Sequence, residues 1–264
     1  MKRLTIFITA LFLAGNLTSG PAAAETPEEK GLAIAVEADS RYDGFHDFKA
    51  QLVMTLKNRQ GEESIRHMRN STLEVADDGD KSLIVFDRPR DVKGTAFLNF
   101  THKVGNDDQW MFLPALKRVK RISSANKSGP FMGSEFAYED ITSQEVEKYT
   151  YKWIRDEELD GQKCFVIERY PVYENSGYTR QVLWVDQKEY RILKIDYYDR
   201  KNSKLKTATY RGYKLYLDDY WYPDEMYMIN HQTGKSTLLI WSDYKFRTGL
   251  TEKQFNKNSL KRAR

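Results

Sequence analysis

The acids best placed for general acid–base work are Glu139 and Asp140, adjacent in the chain at the end of a Ser-, Asn- and Gly-rich stretch. Neighbours on a strand or short turn point apart, so the spacing suits capping the end of a loop better than sharing a proton. The four histidines, His46, His67, His102 and His231, lie far from one another, and none has a second His or Cys at metal-ligand spacing. His67 sits in a run of alternating polar residues, which is the pattern of a solvated strand face rather than of a metal or proton-transfer site. No nucleophile elbow, P-loop or dinucleotide fingerprint occurs. The single Cys164 can form no internal disulfide, and its run Cys164-Phe165-Val166-Ile167 reads as buried apolar strand. The expectation is a protein with no catalytic residue, no metal, no cofactor and no reaction of its own.

Charge chemistry is better represented. Lys117, Arg118, Lys120 and Arg121 place four cations in five residues. On a strand such a run puts charge on both faces, which fits either a solvated sheet edge or a patch for a phosphate head group or acidic partner, with Lys127, Arg88 and Arg90 nearby. The loop Ser123 to Ser134 follows, and Phe131, Met132 and Phe136 set large apolar groups inside or beside it. Two readings fit: a mobile lid whose anchors bury less than core residues, or a surface loop pinned to the core by its aromatics.

The elements that must position these residues follow from hydrophobic period. Thr26-Pro27-Glu28-Glu29 is a capping box with proline at the first helical position, opening a helix to about Tyr42, where Gly44 stops it. Its inner stripe, Gly31, Ile34, Ala35, Ala38 and Tyr42, is mostly small and suits close packing on a sheet. From Phe48 the period changes to two, and strands separated by short turns then run to Tyr244, the pattern of an antiparallel meander. Leu250, Phe255 and Leu260, around a box from Thr251 to Gln254, predict a short closing helix with a basic tail, Lys261, Arg262 and Arg264.

The 264 residues suit one sizeable core. Lys2 and Arg3, an apolar run to about Leu17 and Ala22-Ala23-Ala24 compose a signal peptide over residues 1–24, leaving residues 25–264 as one domain. The mature protein is expected to be soluble and periplasmic, since the apolar run is too short to span a bilayer and no cysteine follows the cleavage site to take a lipid. Losing Lys2 and Arg3 turns 42 basic residues into 40 against 38 acidic, a balance that argues against nucleic acid as a partner.

Three segments carry a resemblance: Asp91-Val92-Lys93-Gly94-Thr95-Ala96-Phe97-Leu98, Trp110-Met111-Phe112-Leu113-Pro114-Ala115-Leu116-Lys117-Arg118-Val119-Lys120-Arg121-Ile122, and Phe131-Met132-Gly133-Ser134-Glu135-Phe136-Ala137-Tyr138-Glu139-Asp140. Together they resemble the outer-membrane lipoprotein-sorting protein family, of the same superfamily as the lipoprotein carrier LolA and the receptor LolB. The resemblance implies a mainly β fold, an incomplete antiparallel barrel of about eleven strands closed by a few short helices, whose concave face holds acyl chains. It implies a periplasmic carrier that shuttles a lipid or lipoprotein between envelope membranes, with transient contact at the membrane surface. An inner-membrane exporter of the RND type and an outer-membrane acceptor are the candidate partners; the rival is an accessory protein that docks on such an exporter without carrying lipid. Strand alternation then selects a cleft: Leu98 and Phe100, Trp110 and Phe112, with Leu52 and Met54, are expected on the concave side, against the alternative that this row is dry core beneath the N-terminal helix.

Overall fold

The computed structural model describes residues 24–262, so the leader expected over residues 1–24 lies outside the described residues but for Ala24, as does Arg264 of the basic tail. Helix α1 (Pro27–Ser40) begins as its box predicts: Glu29 N donates to Thr26 Oγ1 at 3.2 Å, and Thr26 N donates to Glu29 Oε2 at 2.8 Å. It ends two residues before Tyr42. The small stripe has a direct purpose, because a Cβ on Gly31 would come within 2.6–2.8 Å of backbone atoms of Lys152 and Trp153. The helix therefore lies against the strand that carries those two residues. Lys30 Nζ closes the contact from above, 3.6 Å from the Trp153 ring centre.

Fifteen strands follow among the described residues. The first half is β1 (Asp47–Lys57), β2 (Glu63–Leu73), β3 (Lys81–Arg88), β4 (Ala96–Phe100), β5 (Asp108–Leu113) and β6 (Arg118–Ile122). Next come β7 (Tyr149–Leu159), β8 (Gln162–Pro171), β9 (Tyr178–Asp186), β10 (Ile192–Asp199) and β11 (Lys204–Arg211). The last are β12 (Lys214–Tyr216), β13 (Tyr220–Tyr222), β14 (Glu225–Asn230) and β15 (Ser236–Phe246). Thirteen form one antiparallel sheet in the order β6-β5-β4-β3-β2-β1-β15-β14-β11-β10-β9-β8-β7, and β12 with β13 makes a separate ribbon. The edge strands β6 and β7 do not pair with each other, so the barrel stays open. The count exceeds the expected eleven in part because two long runs are interrupted, one at Gly212 (φ 64°) and one at Pro223-Asp224. Bulges in β1/β15, β2/β3 and β7/β8 bend the sheet, which curls until both halves look into one concavity.

Register decides which row faces inward. Leu52 stands opposite Met68, Met68 opposite Phe86, and Ile84, on the same face as Phe86, opposite Phe97. The concave core therefore continues through Phe97 and Met111. Leu98, Phe100, Trp110 and Phe112 fall on the convex face instead, a correction to the expected cleft row. Leu250, Phe255 and Leu260 cover them there with Val85 and Ala96. The expected closing helix is a turn followed by a 3-10 helix, Lys257–Arg262, and Thr251 N and Oγ1 both donate to Gln254 Oε1, at 2.9 and 2.8 Å.

Candidate ligand-binding cavity

Between the concave face, α1 and the segment 123–148 lies a cavity of about 630 Å³, within the range of small-molecule sites. Leu52, Met68 and Ile84 line it from the first half of the sheet, and Ile167, Leu183 and Leu239 from the second. Ala35 and Ala38 of α1 form a shallow roof that leaves room below. Of the residues expected in the cleft, Leu52 lines this cavity and Met54, fully buried, packs in the same core.

The loop, which its composition makes either a lid or a pinned segment, is tied down by both apolar and polar anchors. Phe131 is 1% exposed and meets the rings of Phe97 and Phe86 at 5.2 and 6.1 Å, while lining the cavity. Phe136 is equally buried; Met132 is half-buried, in the left-handed region (φ 50°), and its carbonyl accepts from Arg66 Nη1. Phe131 and Phe136 are thus core residues by burial, which corrects the expectation that loop anchors bury less than the core does.

Glu139 and Asp140 supply the polar anchors. Glu139 accepts from Tyr173 Oη (3.0 Å), Ser176 Oγ (2.9 Å) and Gly177 N (2.8 Å), fixing the loop to the β8–β9 turn. Burial, and then the neighbouring Asp140, push its carboxyl above the usual range. Asp140 accepts from Ala137 N and Lys206 Nζ, both at 2.6 Å, and from Tyr178 Oη at 2.9 Å. Every oxygen of the pair is engaged in holding the loop. Lys206 and Tyr178 escape a reading of the sequence, where a lysine in an alternating strand carries no sign that it points inward.

One end of the cavity is acidic. Asp39 on the last turn of α1, Asp80 at the start of β3 and Glu145 ahead of β7 gather there. Burial and then Glu74 push Asp80 up to about 7; burial and then Asp80 push Glu145 up to about 7. Tyr42, Phe45, Phe48 and Tyr222 make the adjoining wall, with Tyr222 5.4 Å from Phe48 and 5.6 Å from Tyr42 between ring centres. The cation cluster is elsewhere: Lys117, Arg118, Lys120 and Arg121 are exposed on and beside the edge strand β6 and take no part in the cavity. Among the described residues no three His, Cys, Asp or Glu side chains could hold a metal ion together, and no helix is long and apolar enough to cross a membrane.

Residues 78–262 match a family model described as an uncharacterized protein, and no curated protein matches. Among solved structures, a candidate outer membrane lipoprotein-sorting protein domain from Vibrio parahaemolyticus is 59% identical, with a TM-score of 0.87 over 89% of this chain and 99% of that one. A DUF1329 family protein from Desulfovibrio piger is 32% identical, with a TM-score of 0.84 over the same shares. A LolA superfamily protein from Nitrosomonas europaea, 23% identical, shares the fold at a TM-score of 0.70 over 86% of this chain and 98% of that one. The open sheet, the shared fold and these identities across most of the chain agree, and the protein belongs to the outer membrane lipoprotein-sorting (DUF1329) family, with a LolA-like fold.

Proposed function

We propose that the protein is a periplasmic carrier that holds the acyl chain of a lipid or lipoprotein in the cavity under α1 and passes it between envelope membranes. The observation that carries the reading is the cavity itself: an open, largely apolar space of about 630 Å³ in a sheet that never closes. Burying one methylene contributes about 0.8 kcal/mol, so a long chain is held with something on the order of 10 kcal/mol. That suffices to compete with a membrane in direct hand-over without making release impossibly slow. The commitment of Glu139 and Asp140 to loop anchoring supports a carrier over a lipid hydrolase, since neither is free to take a proton from water. The exposed cations of β6 suit contact with head-group phosphates or with an acidic face of an exporter or acceptor.

The test is native mass spectrometry of protein purified from the periplasm without detergent, followed by loading with a fluorescent acyl probe. The expected result is a co-purifying lipid mass and saturable uptake, both reduced when Leu52 and Leu183 are replaced by Asp. Protein that emerges empty and takes up no probe would leave only the exporter-docking role.

A further inference from the structure

The cavity has a polar end that an acyl chain alone does not explain. Seven acidic side chains line it against two basic ones, Lys103 and Arg169. Arg169 is turned to the protein, donating to Gln181 Oε1 at 2.7 Å and standing 4.4 Å from the Tyr149 ring centre. Among the acids, Asp140 is paired with Lys206, and Glu74 accepts from the backbone N–H groups of Gly44 and His46. Glu145 has no such partner. It is 7% exposed, and among the described residues no hydrogen bond or ion pair reaches its carboxylate. The chain packs closely beside it: a Cβ on Gly79 would come within 2.7 Å of Glu145 Oε1 and 2.8 Å of Thr101. Asp80 beside it accepts from Ser143 Oγ at a long 3.4 Å and from the Val75 N–H. The cations facing the group are Lys103, whose amine forms no ion pair among the described residues, and Lys148, which is committed to Asp107.

With little of Glu145 exposed and no partner among the described residues, its carboxylate keeps what accessible surface it has toward the cavity, and such groups mark where a ligand completes the bonding. The carboxylates do not gather closely enough for a metal ion. Tyr42, Phe48 and Tyr222 line the same cavity, with Tyr222 near enough to Asp80 to feel its charge, and acids beside aromatic side chains are surroundings in which an ammonium group is held. The apolar wall of Leu52, Met68, Ile84 and Leu239 continues from that end into the concavity.

Resting on the carrier reading, we propose that the ligand is a cationic amphiphile, its chain along the apolar wall and its ammonium group between Asp80 and Glu145, against the face of Tyr222. Burial, and for Glu145 the charge of Asp80, hold both carboxyls above the usual carboxylate range, so seating a cation between them favours their ionised form and releases protons.

The experiment displaces a neutral fluorescent probe from the full mature protein with dodecylamine, dodecanol and dodecanoate, which share one chain length, at about pH 7. The amine is expected to bind at least about tenfold more tightly than the alcohol, and the carboxylate least tightly. Asp80→Asn with Glu145→Gln should remove that preference, bringing the amine to the affinity of the alcohol. Calorimetry of wild-type protein in buffers of different ionisation enthalpy gives a readout independent of the variant: proton release on amine binding and none on alcohol binding. Equal affinity for amine and alcohol, or amine binding without proton release, overturns the head-group assignment while the carrier stands. Failure of all three ligands and of the probe removes the carrier reading itself.

Discussion

At the scale of single residues, the tightest constraint is the buried ion pair of Lys206 and Asp140, 5% and 3% exposed in their side chains and 2.6 Å apart. It joins residues 66 positions apart and locks the loop to β11. Lys206 Nζ also donates to the Glu135 carbonyl at 2.9 Å, and it faces the rings of Tyr178 and Tyr197. Removing the lysine alone leaves a carboxylate buried with only Tyr178 and Ala137 N to satisfy it. Lys206→Met is therefore expected to cost about 3–5 kcal/mol, and Lys206→Met with Asp140→Asn distinctly less than the two single changes summed. Urea unfolding of the double-mutant cycle measures this, and additive, small effects would mean that the pair does not hold the loop. The acid half of the lock is legible in the sequence, since Glu139-Asp140 at the end of a polar loop reads as a cap. The lysine half is not, because a strand's alternation gives two faces without saying which is inside.

The same ambiguity, one scale up, governs the elements. The capping box of α1, the small stripe that lets it touch β7 and most strand positions are legible, each being local chemistry with a local cause. The grouping of Leu98 with Phe100, and of Trp110 with Phe112, is also legible, and the pairs Leu98↔Trp110 and Ala96↔Phe112 place both rows on one face. Their phase relative to Leu52 and Met54 is not. It passes through the pairings of β1 with β2, of β2 with β3 and of β3 with β4, where Leu52 stands opposite Met68, Met68 opposite Phe86 and Ile84 opposite Phe97, and no residue type announces that register. Strand β6 shows what the element scale does make readable: an edge strand dense in exposed cations. Arg121 is paired with Asp108, while no ion pair engages Lys117, Arg118 or Lys120 among the described residues. Reversing Lys117 and Lys120 to Glu should slow transfer of a loaded probe to vesicles rich in anionic lipid several-fold and flatten its salt dependence, with the amount of bound probe unchanged. An unchanged rate at low salt would return the cluster to the role of a solvated edge that discourages intermolecular pairing.

For the whole molecule, the open sheet and the acidic end of its cavity make stability a function of what fills the space. Asp80 and Glu145 are pushed up to about 7 in the folded protein, against about 4 in an unfolded chain. The folded state therefore holds protons that the unfolded chain releases between those values. Their contribution to stability is full below about pH 4 and is lost as pH rises through about 7. A tenfold difference in proton affinity between folded and unfolded chain is worth about 1.4 kcal/mol, and the two acids lie side by side and feel each other's charge, so the loss is on the order of a few kcal/mol. Other groups titrate over the same range, which makes the difference from a variant the quantity to measure. Empty wild-type protein, unfolded in urea at about pH 5 and about pH 8, should lose stability relative to the Asp80→Asn, Glu145→Gln variant on going to the higher value. A bound cation should restore wild-type stability at the higher pH and do little for the variant, in proportion to the logarithm of ligand concentration. Parallel pH profiles for the two proteins would mean that water reaches both carboxylates freely in the empty cavity, and that its acidic end places no demand on the ligand.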